Sequence, residues 1–197
     1  MSQDRIAAHF QSSLAGLTRA VQDRELLALT HTIAKATAAA LRGGKKLLLI
    51  GNGGSAADAQ HIAAEIVGRY KQERPGWAAI ALTTDTSALT AIANDYGFEQ
   101  IFARQVQGLG QRGDILFALT TSGRSPNILA ALKLARGLGI TTVGFTGTKG
   151  ESLRAACDHL FVSPSDDTPV VQQIHMMAMH AICDEVEHAL IGGRPNA

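Results

Sequence analysis

Cysteine is scarce in this 197-residue chain: only Cys157 and Cys183 occur, far apart and outside any CxxC spacing. That excludes a disulfide framework and a thiolate zinc site, and it fits a reducing cytoplasm. An excess of charge of one sign is lacking too. With 18 Lys and Arg against 17 Asp and Glu, the formal net charge is +1. No long-range field favours nucleic acid, so any anionic ligand must be held locally. No apolar run approaches the roughly 20 residues of a membrane span. Asp4, Arg5 and His9 interrupt the N-terminus where an export signal needs an unbroken apolar stretch. These absences point to a cytoplasmic protein with neither nucleic acid nor membrane as partner. Low-complexity segments, long linkers and solenoid-type repeats are missing as well. The chain therefore reads as one domain, residues 1–197, able to bury a core without crosslinks.

What is present is an ordered alternation. Apolar residues recur at helical spacing through Ile6, Phe10, Leu14, Leu17 and Val21, then Leu26, Leu29, Ile33, Ala36 and Ala40. This predicts two helices over residues 1–43, ending at Gly43-Gly44. Short apolar runs follow, separated by glycine-containing loops and helical segments: "KLLLIG", "AAIALTTD", "DILFALTTSG", "TTVGFTG" and "HLFVSP". Strands alternating with helices imply a doubly wound α/β fold, a five-stranded parallel sheet covered on both faces, here with an N-terminal helical extension. Ligands in such sheets bind beyond the C-terminal ends of the strands.

The first such end carries "GNGGSAADAQHIAAE". Gly51, Gly53 and Ala56 formally satisfy the dinucleotide pattern G-x-G-x-x-G/A. That pattern also wants an acid about 20 residues on, whereas the acid closing the next strand is Asp85, well beyond. The match is weak. The loop's physics is more general: glycines admit a ligand close to the backbone, and Ser55 stands near a helix start whose free N–H groups favour an anion or a sugar oxygen. A plain N-cap role for Ser55 is the alternative. His61 and Glu65 lie at i and i+4, on one face of that helix.

The second end, "DILFALTTSGRSPNILAAL", repeats the design. Thr120, Thr121, Ser122 and Ser125 place four hydroxyls at the start of a helix opened near Pro126. Together with free N–H groups they make a cradle for a phosphate monoester without any lysine, and a well-capped turn would need only one hydroxyl.

At these residues the chain resembles the sugar isomerase (SIS) domain family, and within it the bacterial phosphoheptose isomerases. The segments "GNGGSAADAQHIAAE", "RPGWAAIALTTD", "AIANDYGFEQIFARQV", "GDILFALTTSGRSPN" and "VQQIHMMAMH" carry the likeness in order. The resemblance implies a homotetramer with active sites between subunits, the N-terminal helices and residues 168–191 lying at subunit interfaces. It implies an open-chain seven-carbon ketose phosphate, sedoheptulose 7-phosphate, isomerised in the first step of ADP-heptose biosynthesis toward lipopolysaccharide. Carried over, Asn52, Gly53, Gly54, Ser55, Asn94, Asp95 and Gln172 would contact the substrate, and Thr120, Thr121, Ser122 and Ser125 its phosphate. His61, Glu65, Gln172 and His180 match the family's zinc positions, and Glu65 and His180 its acid and base.

The chemistry agrees with that assignment. Moving a carbonyl from C2 to C1 takes a proton from one carbon and returns one to its neighbour, tasks suited to a carboxylate and an imidazole. Zinc with an open position would stabilise the enediolate's charge. Glu65 cannot be tight ligand and proton acceptor at the same instant, so either the metal is weakly held or the roles alternate. Gln172 and His180 are eight apart, about 12 Å of rise and about 80° of rotation on a regular helix. We expect them to act from different subunits, or the helix to begin later than Gln172. His175 between them reads as a packing histidine; His9, His31, His159 and His188 have no partner spacing. Met176, Met177 and Met179 read as core or interface filler.

Two departures from the family pattern stand out: Thr120-Thr121-Ser122 where Ser-Thr-Ser is common, and Gln172-Gln173 where Gln-Glu is common. Two alternatives remain open. One is a non-catalytic tetramer that partners the bacterial replication initiator, in which the acid and base positions are lost. The other is an isomerase of another sugar phosphate, such as arabinose 5-phosphate.

Overall fold

Aspartates start the first two helices. The Asp4 carboxylate accepts from the N–H groups of Ile6 (3.0 Å) and Ala7 (3.2 Å) to cap α1 (Arg5–Gln22). Asp23 accepts from Leu26 N–H (2.9 Å) to cap α2 (Arg24–Arg42), and its extended backbone makes it the single-residue break between the two. The structure, a computed structural model, describes residues 4–192.

Five strands follow: β1 (Leu47–Gly51), β2 (Ala79–Ala81), β3 (Ile115–Leu119), β4 (Thr141–Gly147) and β5 (His159–Ser163). The helices are α3 (Gly54–Val67), α4 (Thr86–Tyr96), α5 (Ile101–Leu109), α6 (Pro126–Leu138) and α7 (Thr168–Ile191), with a 3-10 segment, Thr148–Ala156, between β4 and β5. All strand pairs are parallel, in the order β2-β1-β3-β4-β5. The doubly wound α/β sheet with helical extension is thus as expected. No helix among the described residues is long and apolar enough to cross a membrane.

The continuous apolar strands have a physical cause. Leu47 and Leu49 of β1, with Ile115, Phe117 and Leu119 of β3, face one core together with residues of α2, α3 and α7; Leu48, Ile50, Leu116 and Ala118 face a second core with α5 and α6. Successive side chains alternate between faces, so strands covered on both sides must be apolar throughout. β1 and β3 are wholly buried.

α1 is different. It rests on α7, where Val170 and Ile174 meet its Gly16. Ile6, Phe10, Leu14 and Val21, expected as apolar helix positions, stay 60 to 72% exposed. They form an unpartnered apolar stripe.

His175 on α7 is fully buried against Phe145 and Phe161, its Nε2 3.2 Å from the Thr146 carbonyl oxygen and its Nδ1 without a partner. It is a packing histidine, as expected. Burial pushes its pKa down from the ordinary 6.5 to about 4, the bond to Thr146 opposing. An unfolded chain therefore binds this proton more readily between those values. Stability held above pH 6.5 is lost as pH falls toward 4, by about 3 kcal/mol. Urea unfolding across this range will show that slope in the wild type and a shallower one in His175→Phe.

Candidate active site

Strands are added to opposite sides of β1, β2 on one and β3 on the other. This is the switch point where open parallel sheets bind ligands, because the connections on either side diverge and leave a crevice. Both candidate loops emerge there. After β1, Gly53 adopts φ +56° and precedes α3, and Gly54 leaves the space that the Gln172 side chain fills: a Cβ at Gly54 would lie 2.5 Å from Gln172 Nε2. The N-cap is therefore Gly53 and not Ser55, which sits inside the first turn and is buried. Asp85 uses its carboxylate to cap α4, accepting from Ala88 N–H at 2.9 Å, which leaves the dinucleotide pattern without its ribose acid.

After β3, the expected hydroxyls crowd the start of α6, with Pro126 in its first turn and Ser125 at the N-cap position. Thr120 Oγ1 lies 3.3 Å from Ser125 Oγ and accepts from Gly123 N–H at 3.2 Å, and Ser122 Oγ accepts from Arg124 N–H at 3.3 Å. The Thr121 carbonyl accepts from Gly147 N–H, tying the loop to the end of β4. Ser125 makes no side-chain capping bond, so its hydroxyl stands at the positive end of α6, where an anion is favoured.

The third group joins two helices. His61 Nε2 stands 3.0 Å from Glu65 Oε1 on α3 and 3.1 Å from His180 Nε2 on α7. Two imidazole nitrogens at that distance, with a carboxylate oxygen beside them, require a proton or a cation between them. One ligand atom from each residue, all within 4.8 Å of one another, is a nitrogen and oxygen set suited to zinc. The Tyr70 ring stacks on His180, 5.5 Å between centroids and 21° between planes, fixing the imidazole's plane. Burial lowers the His180 pKa and His61 adds to this, while Glu65 opposes both, so the ring favours its neutral form.

A buried ion pair holds this arrangement. Glu187, on the same face of α7 about two turns beyond His180, accepts from the N–H groups of Tyr70, Lys71 and Gln72 and from Arg74 Nε. Burial alone would raise its pKa, but those donors hold it below the ordinary value. Arg74 stacks 3.7 Å from the Trp77 ring and donates to the carbonyls of Glu65, Ile66 and Gly68, closing the last turn of α3.

Against known proteins, the SIS domain family model matches residues 9–147. A phosphoheptose isomerase of Bradyrhizobium sp. (strain BTAi1 / ATCC BAA-1182) is 63% identical over 190 residues, 96% of each chain. This chain belongs to the phosphoheptose isomerase family of SIS domain proteins. The family likeness extends to a phosphoheptose isomerase of Burkholderia pseudomallei (strain 1710b), 50% identical over 96% of this chain and 98% of that one. Two solved structures agree: phosphoheptose isomerase GmhA from Neisseria gonorrhoeae, with TM-score 0.88 and 41% identity over 95% of this chain and 99% of that one, and a phosphoheptose isomerase from Francisella tularensis, with TM-score 0.90 and 37% identity over the same shares.

Within this family frame, one chain assembles His61, Glu65 and His180 but not Gln172. α7 runs unbroken from Thr168, so the helix does not begin later than Gln172, and that expectation is corrected. Gln172 lies instead at Gly54, beside the first loop. Asn94 and Asp95 are exposed on α4, bonded to each other at 2.8 Å; the neighbouring Leu89, Thr90 and Ala93 line a cavity of about 290 Å³ with Gly51, Asn52 and Gly53. Both cysteines are free and buried, their thiols pushed up to about 11 (Cys157) and about 12 (Cys183) chiefly by burial, so neither is a nucleophile.

Tyr70, Arg74, Asn127 and Glu187 escaped the sequence reading. Glu187 alone left a signal there, as an acid on the apolar face of the last helix, beside Cys183 and Val186. Glu187→Ala strands Arg74 and three N–H groups in the interior. Chemical denaturation should show a loss of about 3 to 5 kcal/mol, and Lys71→Ala, which breaks only an exposed, solvent-screened pair to Asp184, a far smaller one.

Proposed function

We propose that this sugar-phosphate isomerase converts sedoheptulose 7-phosphate to D-glycero-D-manno-heptose 7-phosphate through an enediol, the first step of ADP-heptose biosynthesis in the cytoplasm, serving lipopolysaccharide. The observation that carries this is the convergence of His61, Glu65 and His180 from α3 and α7, in a sheet whose switch point presents both a glycine loop and a hydroxyl cradle. Thr120, Thr121, Ser122 and Ser125 hold the phosphate against the dipole of α6. Asn52, Gly53, Gly54, Ser55, Asn94, Asp95 and Gln172 contact the sugar chain. Glu65 takes the C1 proton, and His180, held toward its neutral form, passes a proton between the two oxygens. The proton returned to C2 completes the aldose.

His61, Glu65 and His180 fit a zinc ion, with Gln172 reaching it from a neighbouring subunit. Such an ion supplies positive charge where the enediolate becomes negative. The gap between Gln172 and His180 along α7, about 12 Å, favours a site shared between copies, and the bare stripe of α1 favours a homotetramer that buries it.

Proton NMR in heavy water tests the reaction. Sedoheptulose 7-phosphate should yield an aldoheptose 7-phosphate carrying deuterium at C2, with Glu65→Gln slower by roughly a hundredfold or more and chelation suppressing turnover until zinc is restored. A chain that neither converts the sugar nor exchanges its protons with zinc present would exclude the isomerase and favour a protein-binding role. For assembly, light scattering should give four chains per particle for the wild type and smaller species for Phe10→Asp, which puts a charge in the stripe.

A further inference from the structure

Asn127, the second residue of α6, is 1% exposed and carries no role in the chemistry described above. Its side chain forms a reciprocal amide pair with Asn52 across the switch point: Asn52 Nδ2 donates to Asn127 Oδ1 at 3.0 Å, and Asn127 Nδ2 donates to Asn52 Oδ1 at 2.9 Å. Asn127 Oδ1 also accepts from its neighbour's N–H, Ile128, at 3.0 Å. That third bond removes the ambiguity of the amide, because turning it over would set an NH2 group against the Ile128 N–H, donor against donor. With Asn127 held one way round, Asn52 is held too: its oxygen faces Asn127, one of its amide hydrogens is engaged, and the other remains for a ligand.

We infer that Asn127 is a positioning residue for the sugar end of the substrate. It sets the orientation of the Asn52 amide and fastens the glycine loop after β1 to the hydroxyl loop after β3. The start of α6 thereby holds the phosphate cradle and, through Asn127, orients a sugar contact on the other loop. The inference rests on the reading that the first loop takes the sugar and the second the phosphate. Asn127 acts on the substrate through Asn52, since its oxygen is taken up by Asn52 and Ile128 and its amide nitrogen donates to Asn52.

The test compares wild type, Asn52→Ala, Asn127→Ala, the double variant and Asn127→Asp in kcat and KM for sedoheptulose 7-phosphate, with inorganic phosphate as competing inhibitor. Asn127→Asp keeps the volume and the acceptor for Ile128 N–H but turns an oxygen toward Asn52 Oδ1, so it breaks the pair in a chain that still starts α6 normally. Both Asn127 variants should lose roughly tenfold or more in kcat/KM. The inhibition constant of phosphate should move less than about twofold in Asn127→Ala, and the double variant should fall no further than Asn52→Ala alone. Losses that multiply in the double variant, or a phosphate constant that weakens in step with kcat/KM, would overturn the inference.

A second readout does not need turnover. In ¹⁵N spectra the Asn52 side-chain amide should show two distinct protons, the one bonded to Asn127 exchanging slowly with solvent and becoming fast in Asn127→Ala; unchanged protection would overturn the clamp. A wild type with a protected Asn52 amide but no isomerisation would defeat the isomerase reading while the clamp stands.

Discussion

The pairing of β1 with β3 is the constraint on which the site depends. Leu47 to Gly51 align one for one with Ile115 to Leu119, so the two strands end level and their loops leave the sheet side by side. With β2 on the far side of β1, the connections on either side of the seam diverge, and α3 and α6 begin there with their N-termini toward one crevice. The positive ends of two helices therefore face one crevice. Register is strongly held, because both strands are buried on both faces and a slip by one residue would exchange every side chain between the two cores.

A second constraint fixes the cluster of His61, Glu65 and His180. His61 and Glu65 ride on α3 and His180 on α7, and the relation between these helices rests on a carboxylate and a guanidinium that are both almost fully buried. Such a pair adds little net stability over an apolar pair of the same volume, since desolvating two charges costs nearly what their attraction returns. Its contribution is directional. Four donors on Glu187 and the carbonyls held by Arg74 admit a single path for residues 70–74, which leads the Tyr70 ring onto His180. The exposed Arg69–Glu73 pair nearby, at 3.5 Å, imposes no such order.

Much of the architecture was legible. Five apolar runs became five strands because buried parallel strands must be apolar on both faces, and the hydroxyl-rich turn before Pro126 became the start of α6 because proline suits a first helical turn. The pairing of His61 with Glu65 follows from helical spacing, and in the structure the two are in contact at 3.0 Å. Two readings failed for local reasons. Ser55 is displaced from the cap by Gly53, whose positive φ turns the chain two residues earlier. The α7 helix starts before Gln172 because Pro169 occupies its first turn without strain.

By itself, then, the sequence determined the order and type of the elements, the two polar loops and the family to which they belong, since periodicity, glycine, proline and local spacing act within a few residues. Only the tertiary structure decided which distant residues meet: His180 with His61, Asn127 with Asn52, and Glu187 with the turn after α3, separated by 119, 75 and more than a hundred positions in the chain. Those contacts depend on strand order and on the faces that helices present to the sheet, and no local pattern encodes either. Burial then gives these contacts their force, because a polar group removed from water must find its partners inside the protein.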